Sequence, residues 1–150
     1  MRLSNPVTSR SQIRQLAVQT LFQLEVNQSE LDVEEAVQYA LEAGRYPDEG
    51  FDSVQDKYLY SLIEGVMSHI VELDDEISQY LVNWSLPQIA RIDLTILRLA
   101  FYEILFQEDI PDKVAIDEAV DLAKFFSNDR SRQFINGVLN QFLKTRTQAE

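Results

Sequence analysis

Two groups of side chains stand out for what their types and spacing allow. Arg10 and Arg14 lie four residues apart in Ser9-Arg-Ser-Gln-Ile-Arg14, and further on Lys124, Arg130 and Arg132 are interleaved with Phe125, Phe126 and Phe134. On a helix, positions i and i+4 share a face, so two guanidiniums so spaced can reach successive phosphates of a nucleic acid. Cations alternating with aromatic rings suit single-stranded RNA, in which each base offers a face to stack on and each linkage a charge to neutralise. Composition alone also allows a plainer reading, with the arginines merely solvated near a terminus and one of Phe125 and Phe126 in the core.

Other chemistries are removed by what is missing. The chain has no Cys, which excludes disulfide frameworks, thiolate metal sites and Cys nucleophiles, and its one His is His69. Glu72, Asp74, Asp75 and Glu76 cluster, and Asp117 and Asp121 form a helical pair, but neither set has the glycine and spacing of a calcium loop. A solvated helix start explains the first cluster. His69 has no serine arranged near it as a nucleophile and reads as a surface or boundary residue. The expectation is no metal and no cofactor; an enzyme is not excluded on these grounds, but its chemistry would have to come from Asp, Glu, Ser, Tyr or Lys. A carboxylate-dependent hydrolase has only scattered Asp and Glu in its favour.

The 13 Lys and Arg against 25 Asp and Glu give a net charge of −12, which taken as an average argues against nucleic acid. The distribution is uneven. Residues 1 to 24 hold three Arg and no acid, residues 25 to 90 hold fifteen acids against Arg45 and Lys57, and from Lys124 onward five cations face Asp129 alone until Ala149. Such asymmetry says more about partners than the total does. With 150 residues, 45% of them apolar, the chain suits one soluble globular domain spanning 1–150. No apolar run reaches the ~18 residues of a membrane helix, so no membrane association is expected. The opening Met-Arg-Leu-Ser-Asn-Pro shows no secretory or lipidation signal, and the expected location is the cytoplasm.

Apolar spacing is helical throughout, without sustained alternation. Ile13, Leu16, Ala17, Leu21 and Leu24 form one stripe, with Thr8 and Ser9 as candidate caps. A second runs from Val33 to Leu41 and stops at Gly44, before a loop over 44–51. Tyr58 to Val71 make a third helix, and Ile77, Tyr80, Leu81 and Trp84 a short fourth that starts at Asp74 or Asp75. Pro87 suits a first turn, and Ile89 to Leu105 are apolar round most of the circumference, which predicts a central buried helix. Pro111 opens the next helix, and Ser127-Asn-Asp129 ends it and caps the last. The prediction is an all-α fold of about seven helices in two packed small bundles meeting at the 87–106 helix.

Four strings carry more than a helical pattern: Arg14-Gln-Leu-Ala-Val-Gln-Thr-Leu-Phe-Gln23, Leu97-Arg-Leu-Ala-Phe-Tyr-Glu-Ile104, Asp109-Ile-Pro-Asp-Lys-Val-Ala-Ile-Asp-Glu-Ala-Val-Asp-Leu-Ala-Lys-Phe-Phe126 and Ser131-Arg-Gln-Phe-Ile-Asn-Gly-Val-Leu139. In order and spacing they resemble the NusB family of bacterial transcription antitermination proteins. The resemblance covers essentially the whole chain and is weakest between Asp32 and Asp56.

The resemblance implies a NusB-like fold of two small helical bundles and a non-enzymatic role. Proteins of that family pair with the ribosomal protein NusE, bind the boxA element of nascent ribosomal RNA and join other Nus factors on RNA polymerase; some homodimerise. Carried to this chain, it implies an RNA edge of Arg10, Arg14, Phe22, Lys124, Phe126, Arg130, Arg132 and Phe134, with Asp93 nearby. Ser11 and Gln12 stand inside what is a denser arginine cluster in the family, Ser127 replaces a common Gly, and Arg130 stands where some members have an acid. The alternative is a helical protein-interaction adaptor with little or no RNA binding.

Two residues call for structural readings. Asn136-Gly137 is a hairpin signal in isolation, but the resemblance favours a helix there, with Gly137 admitting close helix packing. Arg98 in an apolar run needs a carboxylate, expected from Asp117 or Glu118 on the following helix.

Overall fold

The computed structural model describes residues 6–27, 31–43 and 53–149. Among these the chain forms seven α-helices and no strand: α1 (Pro6–Val26), α2 (Val33–Ala43), α3 (Ser53–Ser68), α4 (Ile70–Ser78), α5 (Arg91–Phe106), α6 (Asp112–Phe126) and α7 (Asp129–Ala149), with a 3-10 turn at Leu86–Gln88. The all-α expectation holds. Contacts divide the chain into two compact units, Met1–Glu64 and Gly65–Glu150, with the boundary inside α3. The predicted end of the second helix at Gly44 and the loop 44–51 lie outside the described residues.

In the first unit α1 packs on α2. Ile13, Leu16, Ala17 and Leu21 of the predicted stripe are buried together with Val18, and α2 buries Ala36, Val37 and Ala40. Asp32 starts α2 by accepting the Glu35 N–H on its Oδ1 at 2.8 Å, which satisfies one of the orphan donors of a helix start. The buried Thr20 hydroxyl donates to the Leu16 carbonyl at 2.8 Å and so stays paired inside the helix. Thr8 and Ser9 do not cap α1, which begins before them at Pro6.

In the second unit α5 packs against α4, α6 and α7. Every residue from Asp93 to Ile104 is buried, as its all-round apolar sequence requires. Phe101 of α5 stacks on Phe142 of α7 with ring centroids 4.2 Å apart, and Tyr80 tilts against both rings. Aromatic pairs of this kind add about 0.5–1.5 kcal/mol beyond the area they bury. Arg146 closes the far end of α7 on Asp112 of α6 at 3.1 Å.

Three expectations are corrected here. The helix break falls at His69 and not at Asp74 or Asp75. The His69 ring nitrogen Nδ1 lies 2.9 Å from the Gly65 carbonyl while the ring packs on Phe106 at 4.2 Å, so the side chain competes for the helix's own acceptor. The fourth helix stops at Ser78, and Tyr80, Leu81 and Trp84 follow it in a turn whose Asn83 has φ of 64°, a left-handed conformation that no helix can absorb. Pro87 belongs to the 3-10 turn, and α5 starts only at Arg91.

The other corrections concern partners. Arg98 donates from Nε and Nη2 to the two carboxylate oxygens of Asp74 on α4, each at 2.8 Å, so its bidentate partner lies on the preceding helix and not at Asp117 or Glu118. Asn136-Gly137 is helical, as expected, but Gly137 is exposed with open space where a Cβ would go, so packing is not its reason. The glycine that packing does require is Gly65, where a Cβ would fall inside the Tyr102 ring.

These contacts set two expected outcomes. Arg98→Met strands a half-buried carboxylate and should lower stability by about 1–3 kcal/mol in urea melts, with Asp74→Ala costing a similar amount and the double variant less than the sum. Additive losses would show that the two groups do not form one pair. The two glycines should respond with opposite signs: Gly137→Ala gains roughly 0.5–1 kcal/mol from helix propensity, whereas Gly65→Ala loses about 1–3 kcal/mol by overpacking, both read from the same melts.

Candidate nucleic-acid interface

The first turn of α7 is built by side chains that cap one another. The Asn128 side-chain oxygen accepts the Ser131 N–H at 2.9 Å, and the Arg132 N–H bonds the Asn128 carbonyl at 3.0 Å, which makes Asn128 the N-cap. The Ser127 hydroxyl donates to the Ser131 hydroxyl, which donates to Asp93 Oδ2, both at 2.8 Å. Asp93 sits in the first turn of α5, so this relay ties α6, α7 and α5 at one point. The residue is only 6% exposed, and its other oxygen, Oδ1, has no hydrogen-bond partner. Burial pushes the Asp93 carboxyl above its ordinary value of 3.8, against the opposing pull of the Ser131 and Ser127 hydroxyls.

A cleft of about 380 Å³ opens at this point, lined by Trp84, Gln88, Ile89, Ala90, Asp93, Asn128, Arg130, Ser131 and Phe134. Trp84 is held there, 56% exposed, between the left-handed Asn83 and the 3-10 turn, where Gln88 Oε1 accepts the Ser85 N–H at 2.8 Å. The cleft thus combines two large aromatic rings, a guanidinium, a hydroxyl, two amides and a buried carboxylate. Such a set can stack a planar group, bond its polar edge and hold an anion at its rim.

Of the residues expected at an RNA edge, Arg130 and Phe134 come together in this cleft. Lys124 is exposed in the last turn of α6, and Phe126 is half-buried. Neither Phe125 nor Phe126 is in the core: Phe125 is 63% exposed and meets the half-buried Phe126 edge to face at 4.8 Å. Arg132 is half-buried and lies 3.6 Å from Asp129 one turn earlier.

Arg10, Arg14 and Phe22 belong to the first unit. Arg10 and Arg14 do share a face of α1, and that face meets Tyr58 of α3. The Arg10 guanidinium lies 4.8 Å from the Tyr58 ring centroid, and Arg14 donates to the Tyr58 hydroxyl at 3.3 Å. Arg10 is exposed, but Arg14 is 2% exposed, so its charge is committed inside the unit and not offered to a phosphate. Phe22 is half-buried. Trp84, Asn128 and Ser131 belong to the cleft without standing out in the sequence as binding residues. The available signal is Trp84 followed by Ser-Leu-Pro87, since a proline so close downstream argues against a helix continuing through Trp84.

The architecture defines an all-helical protein built from two helical units. A family model, the NusB family, matches residues 11–144. The transcription antitermination protein NusB of Levilactobacillus brevis is 47% identical over 143 residues, covering 95% of this chain and 97% of that protein. The solved structure of T. maritima NusB superposes with a TM-score of 0.79 at 35% identity, over 96% of this chain and 93% of that one. A structure of the antitermination factors NusB and NusE in complex with dsRNA matches with a TM-score of 0.77 at 22% identity, over 92% of this chain and 98% of that one, a likeness of fold. The chain belongs to the NusB family. Its relatives are named as transcription antitermination proteins. No described helix is long and apolar enough to cross a membrane.

The raised Asp93 carboxyl gives stability a pH signature. The native state holds this proton more tightly than the unfolded chain, so the contribution is fully present below 3.8 and is lost as pH rises through the native value. Asp93→Asn cannot ionise and escapes that loss. The urea midpoint of the variant relative to wild type should therefore climb between pH 4 and pH 7, and a flat or falling difference would show that Asp93 ionises without cost.

Proposed function

We propose that this chain is an RNA-binding transcription antitermination factor that pairs with a NusE-type ribosomal protein. In this reading the pair binds boxA-type single-stranded RNA in nascent ribosomal transcripts and assembles with other Nus factors on RNA polymerase, in the cytoplasm, with residues 1–150 acting as one NusB-like domain. The observation that carries it is the cleft at the start of α7, where Arg130 and the rings of Trp84 and Phe134 stand together in a family whose solved members include a complex with NusE and RNA. The RNA contacts are assigned to Arg10 and Phe22 in the first unit and to Lys124, Phe126, Arg130, Arg132 and Phe134 in the second. Arg14 acts through Tyr58 as a positioning residue. The acidic stretch 25–90 suits docking of a basic ribosomal protein. Some members of the family homodimerise, and a second copy of this chain is an alternative partner.

The test separates phosphate neutralisation from stacking. In titrations of boxA-type RNA with the NusE-type partner present, Arg10→Ala, Arg130→Ala and Arg132→Ala should each weaken binding across RNA sequences and flatten the log–log salt dependence by up to about 0.7 for each phosphate no longer neutralised. Phe134→Ala should cost roughly 1–3 kcal/mol while leaving the slope in place. Melting curves accompany each variant. If the arginine variants stay folded and keep wild-type affinity and slope, the adaptor reading, partner binding without RNA, takes its place.

A further inference from the structure

We infer that the exposed apolar patch where α3 gives way to α4 is a docking surface for a cationic, apolar-faced segment of a protein, separate from the RNA edge. Met67, Ile70 and Val71 are all exposed, Val71 by 71%, and so is Phe106 at the end of α5. The turn at His69 keeps helical bonding, with the His69 N–H on the Gly65 carbonyl at 3.2 Å and the Leu73 N–H on the His69 carbonyl at 2.8 Å. The spacing i, i+3, i+4 therefore still sets Met67, Ile70 and Val71 side by side. The His69 ring lies against Phe106 with centroids 4.2 Å apart and joins the two helices into one surface, all of it within the second unit. Exposed apolar residues standing singly need no explanation, but a joined group of them beside charged residues marks a surface that another molecule covers. The core takes only Leu73 and Ile77 from α4, which leaves Ile70 and Val71 without a packing role inside the unit.

Charge selects what covers the patch. The two stretches that carry it, 58–90 and 99–112, contain no Lys or Arg. Glu72 and Asp75 are exposed on α4, and Glu108 and Asp109 are exposed just after Phe106, so both elements bring acids and neither brings a cation. Such surroundings repel nucleic-acid phosphate and an anionic lipid surface. A second copy of this chain would set acids against acids, because a two-fold contact brings the same patch to itself. A protein segment with aliphatic side chains between Lys and Arg, as on one face of an amphipathic helix, meets both the apolar centre and the acids beside it.

The patch and the cleft stand at opposite ends of α5. Phe106 ends the helix and Asp93, which lines the cleft, is in its first turn, about 20 Å away at 1.5 Å per residue. A partner that shares RNA with this chain has to stand near the cleft, so the patch is left for a different basic protein of the assembly. In that last respect the inference rests on the RNA-binding reading, whereas the patch and the chemistry it selects do not.

The probe is a synthetic amphipathic helix of about eighteen residues, Leu on one face and Lys on the other, titrated against the full chain by fluorescence anisotropy. It should bind, and more weakly as salt rises, whereas the same peptide with Glu for Lys, or with Gln for Leu, should bind about tenfold more weakly or worse. Met67→Gln combined with Val71→Gln, at exposed positions that leave the fold intact, should weaken the Leu–Lys peptide by about tenfold through lost apolar contact. Glu72→Gln combined with Asp75→Asn should weaken it and flatten its salt dependence. Val82→Gln, exposed beyond the far end of α4, should change nothing, and the Met67/Val71 variant should keep wild-type binding of boxA-type RNA with the NusE-type partner. Wild-type peptide affinity in the folded Met67/Val71 variant, or an equal loss in Val82→Gln, overturns the docking surface. A wild-type dimer that the Met67/Val71 variant turns into a monomer overturns it in favour of a second copy. Loss of the NusE-type partner in that variant overturns the assignment to a different protein. Failure of wild type to bind RNA removes the RNA-binding reading and leaves the peptide result standing.

Discussion

A helix without a solvent face cannot carry a polar side chain that its neighbours do not satisfy, and α5 is such a helix. Between Asp93 and Ile104 it has no exposed position, yet Asp93, Thr95, Arg98 and Glu103 lie within that stretch. The first three are answered from different places. Thr95 bonds the Arg91 carbonyl within the helix, Arg98 takes both oxygens of Asp74 on α4, and Asp93 takes the Ser131 hydroxyl of α7. Apolar packing alone would let the surrounding helices rotate or slide by a turn at small cost. The polar bonds remove that freedom, because a slipped helix leaves a buried charge unpaired.

The same constraint explains why the candidate site stands where it does. Thr95 and Arg98 find their partners within the fold, whereas Asp93 is answered on one oxygen only. Asp93 also lines the cleft that the α6–α7 turn and the segment around Trp84 leave open. The Asn128 cap and the serine relay fix the cleft wall independently of any ligand. Binding there would therefore order little that is not ordered already, and affinity is not spent on building the wall.

Much of this could be read from the sequence, and what escaped has identifiable causes. Element type and the central position of α5 follow from apolar spacing, which records a helix's own faces. Partner choice does not follow, because spacing is silent on which neighbouring helix a given face meets: Arg98 has carboxylates at accessible distance on both sides in sequence, and only packing selects Asp74. The break at His69 is hidden because Ile70 and Val71 continue the apolar pattern of α3 although both are exposed. Gly137 misleads for the converse reason, since a mid-helix glycine implies close approach only when something approaches. At the candidate site, Arg130 and Phe134 are visible as a basic and aromatic stretch, whereas Trp84 comes from a distant turn that no local pattern joins to them.

Charge bears on how an acidic chain could hold RNA at all. The sequence offers Arg10, Arg14, Lys124, Arg130 and Arg132, but not every cation is available to phosphate. Arg14 donates to the Tyr58 hydroxyl from a buried position, and Arg98 and Arg146 are bound to Asp74 and Asp112. Against a net charge of −12, the few remaining exposed cations cannot produce the broad positive field of a basic nucleic-acid-binding protein. Attraction at long range is then weak, and what holds RNA has to act at short distance: ring faces, a hydrogen bond into a desolvated cleft, and one or two well-placed guanidiniums. Interactions of that kind discriminate between bases where a positive field does not. On the proposed reading, a chain with so little electrostatic reach would depend on selectivity, and on a second protein, for its hold on a transcript.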